Sequence, residues 1–253
     1  MGTWHSSFLI PPGGSMRALG IPSLVLTATM LFGCSSDDPA APSGTPADGP
    51  LVYLTFAGNA NDQSGNGNHG TVVGGSMATG ALVLGNNATD RLSLPSTVMD
   101  GLGNFTFSAW LRMDTFRNEN HEVISGANAA QDNALIFWYR EQTDEWLVGI
   151  NNGSSAFATN ASIEDGEWHQ VVLTRSGTTA HLYLDGTALG GGVSVAAGAL
   201  DIDPTGLIFG QDQDVVNGDF AANESWAGAM DNLRIYDRVV SAAEIQTLAA
   251  EAH

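Results

Sequence analysis

From residue 51 onward the chain is a succession of short apolar or alternating runs separated by Gly, Asn and Asp, and this pattern limits the possible folds more than any other feature. At least eleven runs fall within about 200 residues, too closely spaced to leave room for the helices of βαβ units. We therefore predict an all-β, antiparallel sandwich or jelly roll. The runs are 51–56, 81–84, 91–94, 105–113, 122–124, 135–139, 146–150, 168–174, 181–184, 207–209 and 229–236.

The run 105–113 alternates most clearly, and it predicts a strand with one face in the core. The core-facing residues are Phe105, Phe107, Ala109, Leu111 and Met113. The dipeptide Asp-Gly at 185–186 predicts a two-residue hairpin turn. Residues 241–244 (Ser-Ala-Ala-Glu) have the spacing of a capping box, which predicts one short helix with Ile245 and Leu248 on its apolar side.

The charge of the chain excludes several classes of partner. Its formal net charge is −19, with 27 Asp and Glu against 8 basic residues, all of them Arg. Nucleic-acid binding and attachment to a membrane through a polybasic surface both need clustered positive charge, so neither is expected. The single Cys excludes an internal disulfide and a Cys-based zinc site. An acidic chain of this kind favours cations, although the charge also fits solubility alone or life at high salt.

The N-terminal region resembles a bacterial lipoprotein signal. Arg17 precedes an apolar run at 19–30 that is too short to span a bilayer, and Leu-Phe-Gly-Cys at 31–34 resembles a lipobox with the only Cys in its required place. We therefore predict a signal peptide at 1–34, with Met16 as the true start, and lipidation of Cys34. The Pro-, Ser-, Gly- and Asp-rich segment 35–50 is interpreted as a disordered tether, and 51–253 as the folded domain. The predicted location is the cell envelope, with the outer membrane favoured because no Asp follows Cys34.

Five segments of the folded part resemble, in order, laminin-G-like jelly-roll domains of the concanavalin A-like superfamily. They begin with an Asn/Gly-rich opening and end with a strand followed by the capped helix. Between them lie two core strands and a hairpin of the type found in those domains. The segments are 59–70, 105–110, 166–174, 181–186 and 229–245. The resemblance implies the same jelly-roll sandwich.

Two further segments, 131–138 (QDNALIFW) and 210–224 (beginning GQDQD), resemble the calcium-binding loops of pentraxins. The resemblance implies Ca²⁺ ligands from side-chain oxygens and one backbone carbonyl, that of Gln213. The implied ligands are Asp132, Asn133, Asp212, Gln213, Asp214 and Glu224. Ala221 stands where pentraxins usually have a carboxylate shared with a second ion, so one ion is expected and a second stays open. Ser108 and Val171 replace the disulfide of that family, so its pentameric assembly is not carried over and the oligomeric state stays open.

Simple electrostatics supports a hard cation if the fold brings these loops together. Four carboxylates would then share one place, and at about 5 Å and an effective dielectric constant near 20 each like-charge pair costs roughly 3 kcal/mol. An all-oxygen set fits calcium better than zinc or magnesium. One ion leaves the four carboxylates at −4 + 2 = −2, which favours the neutral hydroxyls of a glycan over an anionic ligand. The alternative interpretation is an acidic loop in water.

Three other features are candidates of lower weight. Asp62 and Asp231 form a possible second, structural metal site, since laminin-G-like domains often join these segments through calcium. The alternatives are turn hydrogen bonding for Asp62 and a strand-end hydrogen bond for Asp231. Four Trp residues, Trp110, Trp138, Trp146 and Trp226, are candidates for stacking on a sugar, and the alternative is that they pack in the core. Trp226, near the predicted ion loop, is the best candidate for exposure and hence for contact with a ligand. A structural role is expected for His169.

These observations predict a non-catalytic, calcium-binding, lectin-like binding module that recognises a glycan or another surface ligand. The alternative is a structural or adhesive envelope protein in which calcium only stiffens loops. Polysaccharide hydrolysis is less favoured, because the paired strand carboxylates of the glucanases in the superfamily are missing from the sequence. A His-Glu-x-x-His motif and a Gly-x-Ser-x-Gly nucleophile elbow are also missing.

Overall fold

The computed structural model describes residues 49–77, 79–157 and 161–253. The predicted signal peptide, Cys34 and the predicted tether up to residue 48 lie outside these ranges. The last tether residue, Pro50, is buried, and its carbonyl accepts a hydrogen bond from the Asn66 side chain at 3.0 Å. None of the helices in the described ranges is both long and apolar enough to cross a bilayer.

The predicted antiparallel sandwich is confirmed, with two sheets enclosing one large apolar core. The strands of the described chain are β1 Val52–Leu54, β2 Thr71–Val73, β3 Leu82–Leu84, β4 Arg91–Leu94, β5 Asn104–Met113, β6 Asn120–Asn128, β7 Gln131–Arg140, β8 Glu145–Ile150, β9 Gly153–Phe157, β10 His169–Ser176, β11 Thr179–Leu184, β12 Thr187–Ala188, β13 Val193–Ser194, β14 Leu207–Phe209 and β15 Gly228–Tyr236. Helix α1 is Ala242–Ala249, and short 3₁₀ turns lie at Ser96–Val98, Glu141–Thr143 and Ala222–Glu224. The first sheet has the order β1-β15-β5-β10-β11-β12, with β3 beside β15 and β13 beside β11, and the second has the order β2-β4-β14-β6-β7-β8-β9.

The core forms where the inner faces of the two sheets meet. All five residues predicted for the inner face of β5 are fully buried. From this strand Phe107 contacts two aromatic rings of the opposite sheet, Phe137 of β7 at 6.2 Å and Phe209 of β14 at 6.1 Å between ring centroids. Burial of each such side chain contributes about 2–3 kcal/mol. The alternation in the sequence therefore identified the contact surface between the sheets.

The predicted turn and helix signals are also confirmed. Asp185 and Gly186 both have positive φ, 49° and 76°, as a two-residue hairpin of the primed type requires. Ser241 and Glu244 make the reciprocal capping box at the start of α1. Three strands, β2, β9 and β13, were not predicted. They lie at or near sheet edges and are largely exposed, so they carry little of the alternation that burial imposes.

His169, at the start of β10, has the structural contacts expected of it. Its Nδ1 lies 2.8 Å from the Asp185 carboxylate in the hairpin, and its Nε2 lies 3.1 Å from Asp165 in the preceding loop. Burial lowers the pKa of His169, but the hydrogen bonds to Asp185 and Asp165 outweigh burial and raise it above the usual value. When it is protonated, the imidazole links the loop to the hairpin through both carboxylates.

Because the folded-state pKa of His169 is raised, its stabilisation is complete below the ordinary value of 6.5 and is lost as the pH rises through the folded-state value. We predict that His169→Asn lowers the free energy of unfolding by up to about 1 kcal/mol at pH 5.5 and by less at pH 8.5. The effect is small because the carboxylates of Asp165 and Asp185 are half exposed and therefore screened by solvent. Urea unfolding at the two pH values measures the difference. Asp165→Asn should remove part of the same pH-dependent stabilisation, and an equal loss at both pH values would contradict the prediction.

Candidate functional site

The loop that follows β14 folds back over the outer face of β6, next to the first residues of β7. The Asp212 carboxylate accepts hydrogen bonds from the Ser125 hydroxyl of β6 at 3.1 Å and from the backbone N–H of Gln213 at 2.8 Å. The buried Gln213 side chain donates to the carbonyls of Gly206 at 2.8 Å and Ser125 at 3.2 Å. Gln213 thus anchors the loop through its side chain, a role that the sequence analysis, which assigned only its backbone carbonyl, did not foresee.

This folding brings the four predicted carboxylates close enough to influence one another. Burial raises the pKa of Asp212, and the charges of Asp214 and Asp132 raise it further. Burial likewise raises the pKa of Glu224, with additional contributions from Asp212 and Asp214. Ionisation of these groups is therefore opposed by both desolvation and mutual repulsion.

The predicted residues divide between two adjacent depressions in the surface. Asp132 and Asp214 line an outer cleft of about 300 Å³. Asn133, Asp212 and Glu224 line a neighbouring pocket of about 230 Å³, which we call the acidic cavity. Its other principal lining residues are Asn120, Glu122 and Trp138.

Glu122 is the site residue that the sequence analysis missed. It lies in β6 opposite Trp138 of β7, is only 2% exposed, and its Oε2 atom has no hydrogen-bond partner among the described residues. Burial raises its pKa well above the usual value, and the charges of Asp212 and Glu224 raise it further. A second orphaned oxygen in the same cavity is the buried Oδ1 of Asn133. The sequence signal for Glu122 was an acidic residue within an apolar strand, 121–124 (His-Glu-Val-Ile).

Arg117 fixes the turn that carries Glu224. Its largely buried guanidinium donates to the backbone carbonyls of Ser225 at 2.6 Å and Ala222 at 2.9 Å, on either side of Glu224, and forms an ion pair with Glu119 at 3.2 Å. The position of Glu224 beside the acidic cavity therefore depends on a side chain from the loop between β5 and β6.

Within the described ranges, no three Asp, Glu, His or Cys side chains are close enough together to form a ready-made metal cluster. Binding of an ion between the two depressions therefore requires side-chain rotation. Asp214 is exposed and Asp132 and Glu224 are partly exposed, so their side chains have room to rotate. The metal-binding role of the six predicted ligands stays a prediction.

Asp62 and Asp231 make no hydrogen bond or charge contact with each other among the described residues. The Asp62 carboxylate accepts hydrogen bonds from the backbone N–H groups of Tyr53, Ser64 and Asn68, each at 2.9 Å, and from the Ser64 hydroxyl at 2.8 Å. These contacts match the alternative of turn hydrogen bonding. Asp231 accepts from the following backbone N–H at 2.7 Å, and burial raises its pKa to about 6.

The expectation that Trp226 is exposed and available to a ligand is wrong. Trp226 is 0% exposed and packs edge-on against His121 at 6.0 Å between ring centroids. Its backbone N–H donates to the Gly210 carbonyl at 2.9 Å. This hydrogen bond brings the chain back to the sheet at the end of the loop, and the indole then points into the core. Trp138, on the outer face of β7, is the Trp that lines the acidic cavity.

The family membership of the chain follows from its match to a family model. The Laminin_G_3 model, described as the concanavalin A-like lectin/glucanases superfamily, matches residues 85–246, more than half of the chain. The chain belongs to this superfamily. Its curated relatives include pentraxins: C-reactive protein 1.1 of Limulus polyphemus is 30% identical over 167 residues, which are 64% of this chain and 68% of that protein. The resemblance to laminin-G-like and pentraxin domains is thus confirmed, and a lectin-like domain of this type supports a binding module.

Other relatives are much longer than this chain. The mouse Sushi, von Willebrand factor type A, EGF and pentraxin domain-containing protein 1 is 24% identical over 155 residues, which are 60% of this chain but 4% of that protein. Human Pentraxin-4 is 29% identical over 149 residues, covering 57% of this chain and 30% of its own length. The similarity therefore concerns one domain of these proteins.

Solved structures support the fold at low sequence identity. A heptameric SAP-like pentraxin from Limulus polyphemus has a TM-score of 0.53 at 22% identity, covering 60% of this chain and 72% of that one. Domain 4 of AbnA, a GH43 arabinanase from Geobacillus stearothermophilus solved with arabinotriose, has a TM-score of 0.55 at 17% identity and covers 79% and 98%. Trypanosoma rangeli sialidase has a TM-score of 0.62 at 18% identity and covers 81% of this chain and 33% of the enzyme.

The raised pKa of Asp231 predicts that its charge destabilises the fold at neutral pH. Stability attributable to this group is present at low pH and decreases as the pH rises from about 4 to about 6. We predict that Asp231→Asn raises the free energy of unfolding at pH 7.5 by up to about 3 kcal/mol and has little effect near pH 4. Asp62→Asn is the contrasting variant and should destabilise the fold, since the hydrogen bonds to Asp62 outweigh burial and lower its pKa. A loss of stability in Asp231→Asn that depends on added calcium would instead support the predicted structural metal site.

Proposed function

We propose that this domain is a non-catalytic, calcium-dependent, lectin-like module that binds a glycan or another surface ligand. One observation carries the proposal. The loop after β14 and the start of β7 gather Asp132, Asn133, Asp212, Asp214 and Glu224 in one region, where the buried Oδ1 of Asn133 has no hydrogen-bond partner among the described residues. The predicted ligand set also includes the backbone carbonyl of Gln213.

The chemistry of these donors fits calcium. All of them are oxygens, and neither depression has His or Cys among its lining residues. Calcium accepts six to eight oxygen ligands in flexible geometry, whereas zinc and copper prefer nitrogen and sulfur donors. A divalent cation would also remove the repulsion that raises the pKa values of Asp212 and Glu224. Bound at this place, calcium would supply coordination positions for ligand hydroxyl groups.

The surroundings of the ligand set favour a neutral, hydroxyl-rich ligand. Asn120 and Asn152 add amide donors and acceptors to the acidic cavity, and Trp138 adds an aromatic wall. The negative charge left after one ion binds would repel phosphate or carboxylate groups, while sugar hydroxyls pair well with amides and aromatic rings. The Geobacillus domain of the same fold, solved with arabinotriose, supports a glycan as the ligand class.

Attachment to the cell envelope is a separate part of the proposal. Lipidation of Cys34 would place the binding module outside the cytoplasm, on a tether that runs from residue 35 to about residue 48 and reaches roughly 43 Å when extended. Metabolic labelling with a radioactive fatty acid should mark the full chain and should not mark a Cys34→Ser variant. Labelling of both, or of neither, would contradict the lipoprotein proposal while leaving the binding module unaffected.

We predict that calcium at about 1 mM raises the melting temperature of the full chain, because extracellular sites of this kind bind at ~10⁻⁴–10⁻³ M. Asp132→Asn and Asp212→Ala should weaken calcium binding in calorimetry by about tenfold or more. On a glycan array, retention should be lost in a chelator and in Asp212→Ala. Glu145→Gln is the matched control, since Glu145 pairs with Arg140 at the start of β8 and is not among the lining residues of the acidic cavity.

A different experimental outcome would contradict each part of this proposal. The absence of any calcium effect up to about ten times the expected dissociation constant would remove the calcium site. A calcium-dependent rise in melting temperature without retention of any glycan would favour the structural or adhesive alternative. Release of reducing ends from laminarin or agarose by the purified protein would favour a hydrolase instead.

A further inference from the structure

Arg91, in β4, lacks the polar partners that the other arginines of the described chain have. Five of those arginines form ion pairs with Asp or Glu, and the buried Arg175 donates to four backbone carbonyls. Arg91 makes one hydrogen bond among the described residues, from Nη1 to the Thr89 carbonyl at 2.9 Å, and its buried Nε has no partner there. Acidic residues outnumber basic ones 27 to 8 in this chain, so a shortage of carboxylates does not explain the missing partner.

Phe220, from the loop after β14, supports the guanidinium of Arg91. The Cζ atom of Arg91 lies over the phenyl ring, 4.3 Å from its centroid. A guanidinium in this position keeps its edges available for hydrogen bonds. The edge formed by Nε and Nη2 carries no hydrogen bond among the described residues, and two N–H groups side by side match the two oxygens of a carboxylate.

Arg91 lines a pocket of about 360 Å³ at the β2–β4 edge of the second sheet, which we call the Arg91 pocket. No Asp or Glu is among the described residues that line it, whereas three line the acidic cavity, and the two pockets share no lining residue. Its other polar lining residues carry hydroxyl, amide or imidazole groups. They are His69, Thr71, Ser93, Thr205 and Asn217.

The groups around Arg91 supply hydrogen-bond donors and little negative charge. The Nδ1 atom of His69 accepts a hydrogen bond from the backbone N–H of Asp62 at 3.0 Å, so the neutral ring carries its proton on Nε2. The carboxylate of Asp90, next to Arg91 in the chain, accepts from the backbone N–H of Gly85 at 2.9 Å. Burial lowers the pKa of Arg91 without a compensating carboxylate, yet a guanidinium stays charged at neutral pH. The pocket therefore offers one unpaired positive charge among neutral polar groups.

We propose that the Arg91 pocket binds the carboxylate of a small polyhydroxylated acid, whose hydroxyl groups pair with Thr71, Ser93 and Thr205. The carboxylate would supply the oxygens that the unpaired edge of Arg91 lacks, and a small rotation of this partly exposed side chain would bring the edge to the pocket. The same chemistry is found in a free sugar acid and in the acidic unit of a polysaccharide, and the experiment below distinguishes them. The inference goes beyond the proposed function, because it involves neither calcium nor the acidic cavity.

NMR of the full, ¹⁵N-labelled chain in calcium-free buffer tests the pocket. Galacturonate is titrated at constant ionic strength. The Nε–H signal of Arg91 and the backbone N–H signals of Thr71, Ser93 and Thr205 should shift and saturate, with a dissociation constant on the order of 1–10 mM for a ligand of this size. Galacturonamide, which replaces the carboxylate by a neutral amide, should bind about tenfold more weakly or worse.

Variants separate recognition by Arg91 from the effect of net charge. Arg91→Gln should weaken galacturonate binding by about tenfold or more, because it removes the charge and the paired donors. Arg140→Gln is the matched control, since it removes the same charge from an exposed ion pair with Glu145 outside the pocket and should bind like the wild type. If Arg91→Gln does not fold, Ser93→Ala should weaken binding by about threefold through loss of one hydroxyl.

Three results would overturn the inference and leave the proposed calcium site unaffected. They are the absence of saturable shifts up to about 50 mM galacturonate, equal binding of galacturonamide, and unchanged binding in a folded Arg91→Gln. Inorganic phosphate that binds as tightly as galacturonate would also overturn it, because the pocket would then be a general anion site. Trigalacturonate that binds about tenfold more tightly than galacturonate would support the pocket with a polysaccharide as the source, and equal affinity would support it with a free acid as the source.

Discussion

Glu122, Asp212 and Glu224 are held close enough to repel one another, and the rest of this site depends on that constraint. Hydrogen bonds from neighbouring side chains keep these carboxylates in place. The Ser125 hydroxyl donates to the Asp212 carboxylate, and the Arg117 guanidinium donates to the backbone carbonyls of Ala222 and Ser225, on either side of Glu224. Each contact contributes on the order of 1 kcal/mol, and the stability of the two-sheet core offsets the remaining cost. A cation bound at the proposed site would remove a penalty already present in the folded state.

Local signals in the sequence were sufficient for most of the fold. The alternation at 105–113, the Asp-Gly turn at 185–186 and the capping box at 241–244 each depend on residues within a few positions of one another. Strands β2 and β9 were missed because an exposed edge strand needs no apolar alternation. Prediction was therefore reliable wherever burial left a periodic trace in the sequence.

The candidate site was only partly predictable, for the opposite reason. Asp132 and Asp212 are far apart in the chain, and they come together because β6 lies between β14 and β7 in the sheet. Only the family resemblance pointed to this juxtaposition. Glu122 was missed because an acidic residue within an apolar run is expected to be a solvent-facing position of a strand. The burial of Trp226 was missed because the sequence does not show which way a side chain points at the end of a loop. Which face a side chain adopts after a bulge or a returning loop depends on register, and register is a property of the whole sheet.

The two outer faces of the sandwich carry different apolar clusters. On the first sheet, Val172 and Tyr236 are covered by Val240 and by Ile245 of helix α1, which together form a separate apolar cluster. On the second sheet the outer face carries Ile136, Trp138 and Leu147, a small separate cluster of buried residues that includes no residue of helix α1. Ile136 and Trp138 of this cluster also line the acidic cavity, so carboxylates, amides and an indole border the same pocket. Helix α1 therefore packs on the first sheet, and the ion coordination and aromatic contact that we propose would both involve the outer face of the second sheet.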